Sequence, residues 1–194
     1  ALSVDVEEYY DALIFQESTR HVARGSFPSR VQSSVERILM LLETAGARAT
    51  FFTLGEVAAG QPKLVRAIAE AGHEIACHGY RHVPVWDQPA DVFRADVYRA
   101  KQLLEEVSGA PVLGYRAPNF SIGRKQEWAY DILLETGFRY DSSTYPILHD
   151  RYGEPNGPRF PYEIRRRGSV GLFQPKRASD GNARSTVCPC VGAG

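Results

Sequence analysis

The feature that most constrains the fold is the run Ala49-Thr50-Phe51-Phe52-Thr53-Leu54, which is β-forming throughout and has no polar face. Such a strand must be covered on both sides, as in the parallel sheets of α/β proteins. The flanking sequence supplies the covers. From Val31 to Ala45 the residues Val31, Val35, Ile38, Leu39 and Leu42 mark one helical face, with Ser29 as its expected cap and Gly46 as its stop. Pro62 to Ala71 reads as a second helix, with proline in its first turn and Gly72 behind it. A third, Ala90 to Val107, carries Val92, Phe93, Val97, Leu103 and Leu104, and Lys125 to Glu135 is a fourth, closed by Gly137. Strand patterns open the chain at Leu2 and recur at Glu74–Cys77, Val112–Arg116 and Phe138–Tyr140, while residues 11–28 read as a long loop. Strand and helix alternate at least four times, so the expected class is α/β, a parallel sheet or barrel with helices outside.

The 194 residues suit one domain with a real core, and a formal net charge of zero argues against nucleic acid or an anionic membrane as partner. No apolar run is long enough to span a bilayer. No signal peptide is visible, so the cytoplasm is the expected compartment, although the chain opens like an excised domain. Three cysteines do not make a disulfide framework. Cys77 reads as a small buried hydrophobe, and Cys188-Pro189-Cys190 does not have the spacing of a zinc knuckle. Beyond Gly153 the pattern fades through Pro155, Pro158 and Pro161, and Arg165 to Arg167 reads as a solvated face. The expected division is a catalytic domain at 1–161 and an irregular tail at 162–194, truncated or altered in reading frame.

In α/β barrels the reactive groups gather at the carboxyl ends of the strands. Asp5, His78, Arg116 and Asp141 each fall at such an end. His78 and His82 lie four residues apart, directly after the strand Glu74–Cys77. If the chain turns helical there, both rings share one face and can grip one ion. Imidazole is the commonest ligand for zinc and its neighbours, and a two-histidine grip usually needs a carboxylate to complete it. His73, beside glycine and apart from the pair, reads as structural.

Five stretches carry a family resemblance: Leu2-Ser3-Val4-Asp5-Val6-Glu7, Ala49-Thr50-Phe51-Phe52, Gly72-His73-Glu74-Ile75 with His78 and His82, Tyr115-Arg116-Ala117-Pro118, and Asp141-Ser142-Ser143. In this order they resemble the motifs of polysaccharide deacetylases, the carbohydrate esterase group acting on chitin oligosaccharides and peptidoglycan. More narrowly they resemble its exopolysaccharide-locus branch, in which the first motif has a spaced acid pair. The resemblance implies a distorted (β/α) barrel with fewer than eight strands, here C-terminally incomplete. It implies a divalent metal, zinc first and cobalt, nickel or iron after it, and an N-acetylated polysaccharide or oligosaccharide as substrate. His78 and His82 would ligate the metal, with Glu7 as third ligand and Glu8 as its rival. Asp5 resembles the general base, and Arg116 the arginine that orients it, unless Arg116 forms a purely structural salt bridge.

Pro118, Asn119, Phe120, Asp141 and Tyr145 are the candidate substrate contacts. Asp141 is open between shaping a groove and capping the following turn. Tyr9, Tyr10 and Tyr145 have faces that suit pyranose rings, although partly buried packing is the simpler reading. Two departures stand out: Asn119 intervenes before the aromatic that normally follows the third-motif proline, and no histidine follows His149 to act as the family's late general acid. The implied function is removal of N-acetyl groups by metal-activated water. The alternatives are an allantoinase-like hydrolase of cyclic amides on the same barrel and a catalytically impaired carbohydrate-binding fragment.

Overall fold

A computed structural model of the chain describes residues 2–12, 15, 26–148, 153–166 and 169–174, with backbone alone for 165–166 and 169–174. The elements run in the order β1 (Leu2–Val6), α1 (Val31–Thr44), β2 (Ala49–Thr53), α2 (Gly55–Gly60), α3 (Pro62–Glu70), β3 (Glu74–Cys77), α4 (Ala90–Ser108), β4 (Gly114–Tyr115), α5 (Trp128–Glu135), β5 (Tyr140–Asp141), β6 (Tyr162–Arg166) and β7 (Ser169–Gln174). The seven strands among the described residues form one sheet, ordered β1-β2-β3-β4-β5-β7-β6. Every neighbouring pair is parallel except β6 and β7. This is the α/β class that the alternating pattern predicts, and the strands among the described residues number fewer than eight, as the family resemblance implies.

Because successive side chains on a strand point to opposite faces, the register sorts the sheet into two sides. Val4 pairs with Phe51 and Phe51 with Ile75, while Cys77 pairs with Tyr115. These residues form the apolar side, and Phe51, Ile75, Cys77 and Tyr115 sit in one core with Ile68, Phe93, Val97, Leu104 and Leu133 from the helices. Burying a side chain such as Phe51 or Leu104 is worth roughly 1.5–3 kcal/mol each, and this layer holds the strands in register. The other side is polar: Ser3 and Asp5 from β1, Thr50 and Phe52 from β2, Glu74 and Ala76 from β3, and Gly114 and Tyr140 from β4 and β5. Near its amino end Glu74 accepts from the Tyr140 hydroxyl at 2.8 Å and from Thr50 Oγ1 at 2.6 Å. Gly114 makes this possible, since a Cβ there would stand 2.1 Å from Tyr140 Cζ.

Several sequence expectations change. Ser29 does not cap α1; the N-cap is Arg30, and the Ser29 hydroxyl instead donates to Glu8. The strand expected over Val112–Arg116 is confined to Gly114–Tyr115, and that expected at Phe138–Tyr140 is Tyr140–Asp141. The short helix α2 has no apolar period to announce it. Part of the expected irregular tail is ordered, since residues 162–166 and 169–174 pair as antiparallel strands and β7 also joins β5. Two neighbouring strands supply hydrogen bonds that weak local periodicity does not predict. His149, the Arg165–Arg167 side chains and the two tail cysteines lie outside the described residues. No helix among the described residues is long and apolar enough to cross a membrane.

Candidate active site

The carboxyl ends of β1, β3, β4 and β5 carry the polar constellation. β1 delivers Asp5 on the polar side and Glu7 just beyond the strand. Glu7 Oε2 stands 2.6 Å from His82 Nε2 and 3.5 Å from His78 Nε2. One ligand atom from each of Glu7, His78 and His82 lies within 4.8 Å of the other two. His78 and His82 are buried, Glu7 half-buried. The expected helical pair does not form. The segment from His78 to His82 is a loop in which Gly79 (φ +81°) and His82 itself (φ +55°) take the left-handed conformation. Strain of this kind at a non-glycine residue is typical of functional sites. The backbone is held by Gly55 N and Glu56 N, which donate to the carbonyls of Gly79 and Tyr80, and by Tyr80 N, which donates to Asp96 Oδ2 at 2.8 Å.

Three observations fit this trio to a metal ion. Glu7 Oε2 is buried with no hydrogen-bond partner among the described residues, although two ring nitrogens face it. His78 Nδ1 lies 2.8 Å from the Arg116 carbonyl, and donating its proton there leaves the Nε2 lone pair free for a cation. Two imidazoles and one carboxylate also form a mixed N/O donor set that leaves positions open for solvent or substrate. Burial pushes the Glu7 carboxyl up, but the His78 and His82 imidazoles beside it outweigh this and hold it well below the usual carboxylate range. Burial pushes His78 down, and Glu7, the Asp5 charge and the Arg116 carbonyl more than reverse this, so His78 titrates above its ordinary value.

Glu8 is no rival. It is buried and turned to the other side, accepting from Ser29 Oγ and from Arg30 N at 3.0 Å, while its own N–H donates to Asp11 Oδ2 at 3.3 Å. These bonds pin the start of the β1–α1 connection and leave Glu7 to face the rings.

Arg116 is the hub beside the trio. Its Nη1 donates to Asp5 Oδ1, its Nη2 to Ser3 Oγ at 3.0 Å and Ser142 Oγ at 2.9 Å, and its Nε to the Ser142 carbonyl at 3.3 Å. The guanidinium lies over the Phe52 ring, 3.9 Å from its centroid. A planar fork held at all three nitrogens and stacked on an aromatic is a geometry lysine cannot reproduce. Ser3, Ser142 and Phe52 are the residues that sequence reasoning missed. Period two could have found Ser3, two residues before Asp5 on the same strand face, and Ser142 lies inside the quoted Asp-Ser-Ser motif.

The expected substrate contacts separate. Asp141 is fully buried; its oxygens accept from Ser143 N at 2.9 Å and from Ser143 Oγ, and Ser143 Oγ in turn accepts from Ala117 N at 2.8 Å. The groove-shaping expectation for Asp141 gives way to the turn-capping one, because a carboxylate closed behind the loop offers no surface to a sugar. Pro118 is buried and packs by Gly79, where a Cβ would lie 3.6 Å from Pro118 Cγ. Asn119 and Phe120 both take left-handed backbone, φ +56° and +52°. Phe120 stacks on Tyr145, ring centroids 5.2 Å apart, and both stay half-buried at the rim. His73 is structural, as expected: it is buried against Phe51 and its Nδ1 accepts from Ala49 N at 3.4 Å. Cys77 is buried on the apolar side, which pushes its thiol up to about 12.

The polysaccharide deacetylase family model matches residues 19–140. The chain belongs to that family. Its relatives include a peptidoglycan deacetylase of Helicobacter pylori, 27% identical over 137 residues, covering 71% of this chain and 44% of the relative. A peptidoglycan-N-acetylglucosamine deacetylase of Bacillus cereus is 33% identical over 128 residues, covering 60% of this chain and 46% of the relative. The chain thus spans less than half the length of these two relatives. Among solved structures, a candidate polysaccharide deacetylase from Mycobacterium smegmatis superposes with a TM-score of 0.69 at 28% identity, covering 100% of this chain and 64% of that one. The distorted (β/α) barrel implied by the sequence motifs is therefore the fold of this chain.

Proposed function

We propose that this deacetylase-family chain hydrolyses N-acetyl groups of a bacterial polysaccharide, with Glu7, His78 and His82 holding a divalent metal and Asp5 acting as general base. The observation that carries the reading is the buried, unpartnered Glu7 Oε2 beside two imidazole nitrogens, with an arginine-held carboxylate close enough for its charge to act on His78. Zinc suits the two-nitrogen, one-oxygen donor set best, ahead of cobalt, nickel or iron. A bound metal supplies Lewis-acid polarisation of the acetyl carbonyl and lowers the pKa of water.

The chain's own residues do the rest. The Arg116 carbonyl fixes the His78 tautomer, and the Arg116 guanidinium holds the Asp5 carboxylate in place. Asp5 takes a proton from water as its oxygen adds to the acetyl carbon. The carbon–nitrogen bond then breaks as the nitrogen takes that proton back from Asp5, giving acetate and a free amino sugar. Peptidoglycan and N-acetylglucosamine in the relatives' names support a glycan carrying N-acetylglucosamine, and the spaced acids Asp5 and Glu7 favour an exopolysaccharide.

The test is acetate release from N-acetylglucosamine oligomers by the zinc-loaded chain, with chelator and a cyclic ureide as controls. Chelator-sensitive release confined to the sugar supports the reading. Turnover of the ureide alone would make the chain a cyclic-amide hydrolase, and sugar binding without acetate would leave a carbohydrate-binding domain.

A further inference from the structure

Asn119 presents a polar group for which the structure provides no partner. Its Nδ2 is buried and has no hydrogen-bond acceptor among the described residues. The residue follows Arg116 by three positions, in the loop that leaves β4 at the end where Asp5, Glu7 and the histidines gather. The surrounding turn is closed without it: Phe120 N donates to the Ala117 carbonyl at 3.0 Å and Ser121 N to the Pro118 carbonyl at 3.2 Å. The Ser121 hydroxyl is likewise engaged, accepting from Val85 N at 2.8 Å. Asn119 and Phe120 are consecutive left-handed residues, and for an aromatic side chain that conformation is an outlier. With this costly backbone the Phe120 ring stacks on Tyr145, and the Arg116 Cζ lies 5.9 Å from the Phe120 ring centroid. A buried amide donor without an acceptor is itself unfavourable, and folded chains keep such groups where a ligand satisfies them.

We propose that the Asn119 carboxamide is a substrate-contacting group that donates from Nδ2 to the oxygen of the acetamido group being hydrolysed. This rests on the deacetylase reading of the site. The acetyl carbon must lie where water activated by Asp5 can reach it, and the oxygen of that group gains negative charge as the water adds. A fixed N–H in a water-poor pocket stabilises that charge without reorganising. The competing explanation is that Asn119 serves only its backbone, since asparagine tolerates the left-handed region better than most residues.

Asn119→Gly separates the two, because glycine keeps the backbone and removes the donor. With the N-acetylglucosamine tetramer as substrate and zinc present, kcat/KM is expected to fall about 10- to 100-fold, within or below the range seen for loss of one oxyanion donor. Zinc content, Tm and affinity for the fully deacetylated glucosamine tetramer are expected to stay unchanged. Asn119→Asp, which replaces the donor with an acceptor, is expected to lose more. Full activity in Asn119→Gly overturns the proposal, as does a fall in Tm, which would reveal a structural partner. Equal weakening of the glucosamine tetramer also overturns it, since the contact would then be to a ring hydroxyl. If the unaltered chain releases no acetate, the deacetylase reading itself has failed; equal binding of the N-acetylated tetramer by the unaltered chain and Asn119→Gly then overturns the Asn119 assignment as well.

Discussion

Arg116 and Asp5 are 111 residues apart in sequence and paired in space, guanidinium to carboxylate, across the polar side of the sheet. The same arginine offers its carbonyl to His78. One residue at the end of β4 thus sets the position of the proposed base and the tautomer of a proposed metal ligand.

That double role makes Arg116→Lys informative. Lysine keeps a positive charge but cannot reach Asp5, Ser3 and Ser142 together or stack on Phe52. We expect kcat to fall roughly 10- to 100-fold, the usual cost of losing an outer hydrogen-bond partner, with zinc stoichiometry retained. Asp5→Asn should fall further, by about 10²–10⁴, because the proton acceptor is gone. An Arg116→Lys chain with unaltered kcat would show that the guanidinium serves only as a structural tie.

Glu7 and Glu8 are adjacent, yet the fold gives them opposite duties. Glu7→Gln should weaken zinc binding by more than the roughly 10- to 100-fold expected for an outer partner, because it removes a ligand. Glu8→Gln should leave one zinc per chain and lower Tm, because Arg30 N and Ser29 lose a charged acceptor. Competition against a chelating dye, with melting curves, reads both, and equal zinc affinity in the two variants would refute the assignment.

The metal-free and zinc-loaded chains should respond to pH in opposite directions. His78 titrates above its ordinary value, so protonated His78 beside Glu7 stabilises the metal-free fold. This contribution is complete below the unfolded histidine pKa of about 6.5 and is lost as pH rises through the folded value. Metal-free Tm should therefore decline from pH 6 into the alkaline range on this account. Zinc needs the neutral ring, so its affinity should rise over the same interval and binding should release protons. Calorimetry in two buffers of different ionisation enthalpy measures that release, and buffer-independent heats would count against His78 as a ligand.

What the sequence made legible was whatever follows from local pattern. The double-sided run around Phe51, the strand-end positions of Asp5, His78 and Arg116, and the ordered motifs are all local signals. What it hid depends on long-range pairing. No spacing rule says that Glu8 will be captured by Ser29 and Arg30, or that His82 will reach Glu7 through a left-handed loop instead of a helix. The strands at 162–166 and 169–174 were missed for the same reason, since their hydrogen bonds come from each other and from β5.

The burial of Asp141 yields the last test. Ser143 Oγ donates to Asp141 and accepts from Ala117 N, so a carboxylate, a hydroxyl and a backbone amide form one closed relay behind the loop bearing Arg116 and Pro118. Removing the hydroxyl leaves Ala117 N without its acceptor and takes one of the bonds to Asp141, and an unsatisfied buried group costs about 1–3 kcal/mol. Ser143→Ala should therefore lower Tm by several degrees, on the scale of about 2–4 °C per kcal/mol for a chain of this size. Asp141→Asn should also destabilise, because one of the two oxygens that accept from Ser143 becomes an amide donor. Neither change touches the cleft, so KM for the sugar oligomer at a temperature where both variants stay folded should be nearly unchanged. A raised KM with Tm intact would return Asp141 to the substrate groove and remove the relay from the account of how β5 supports the site.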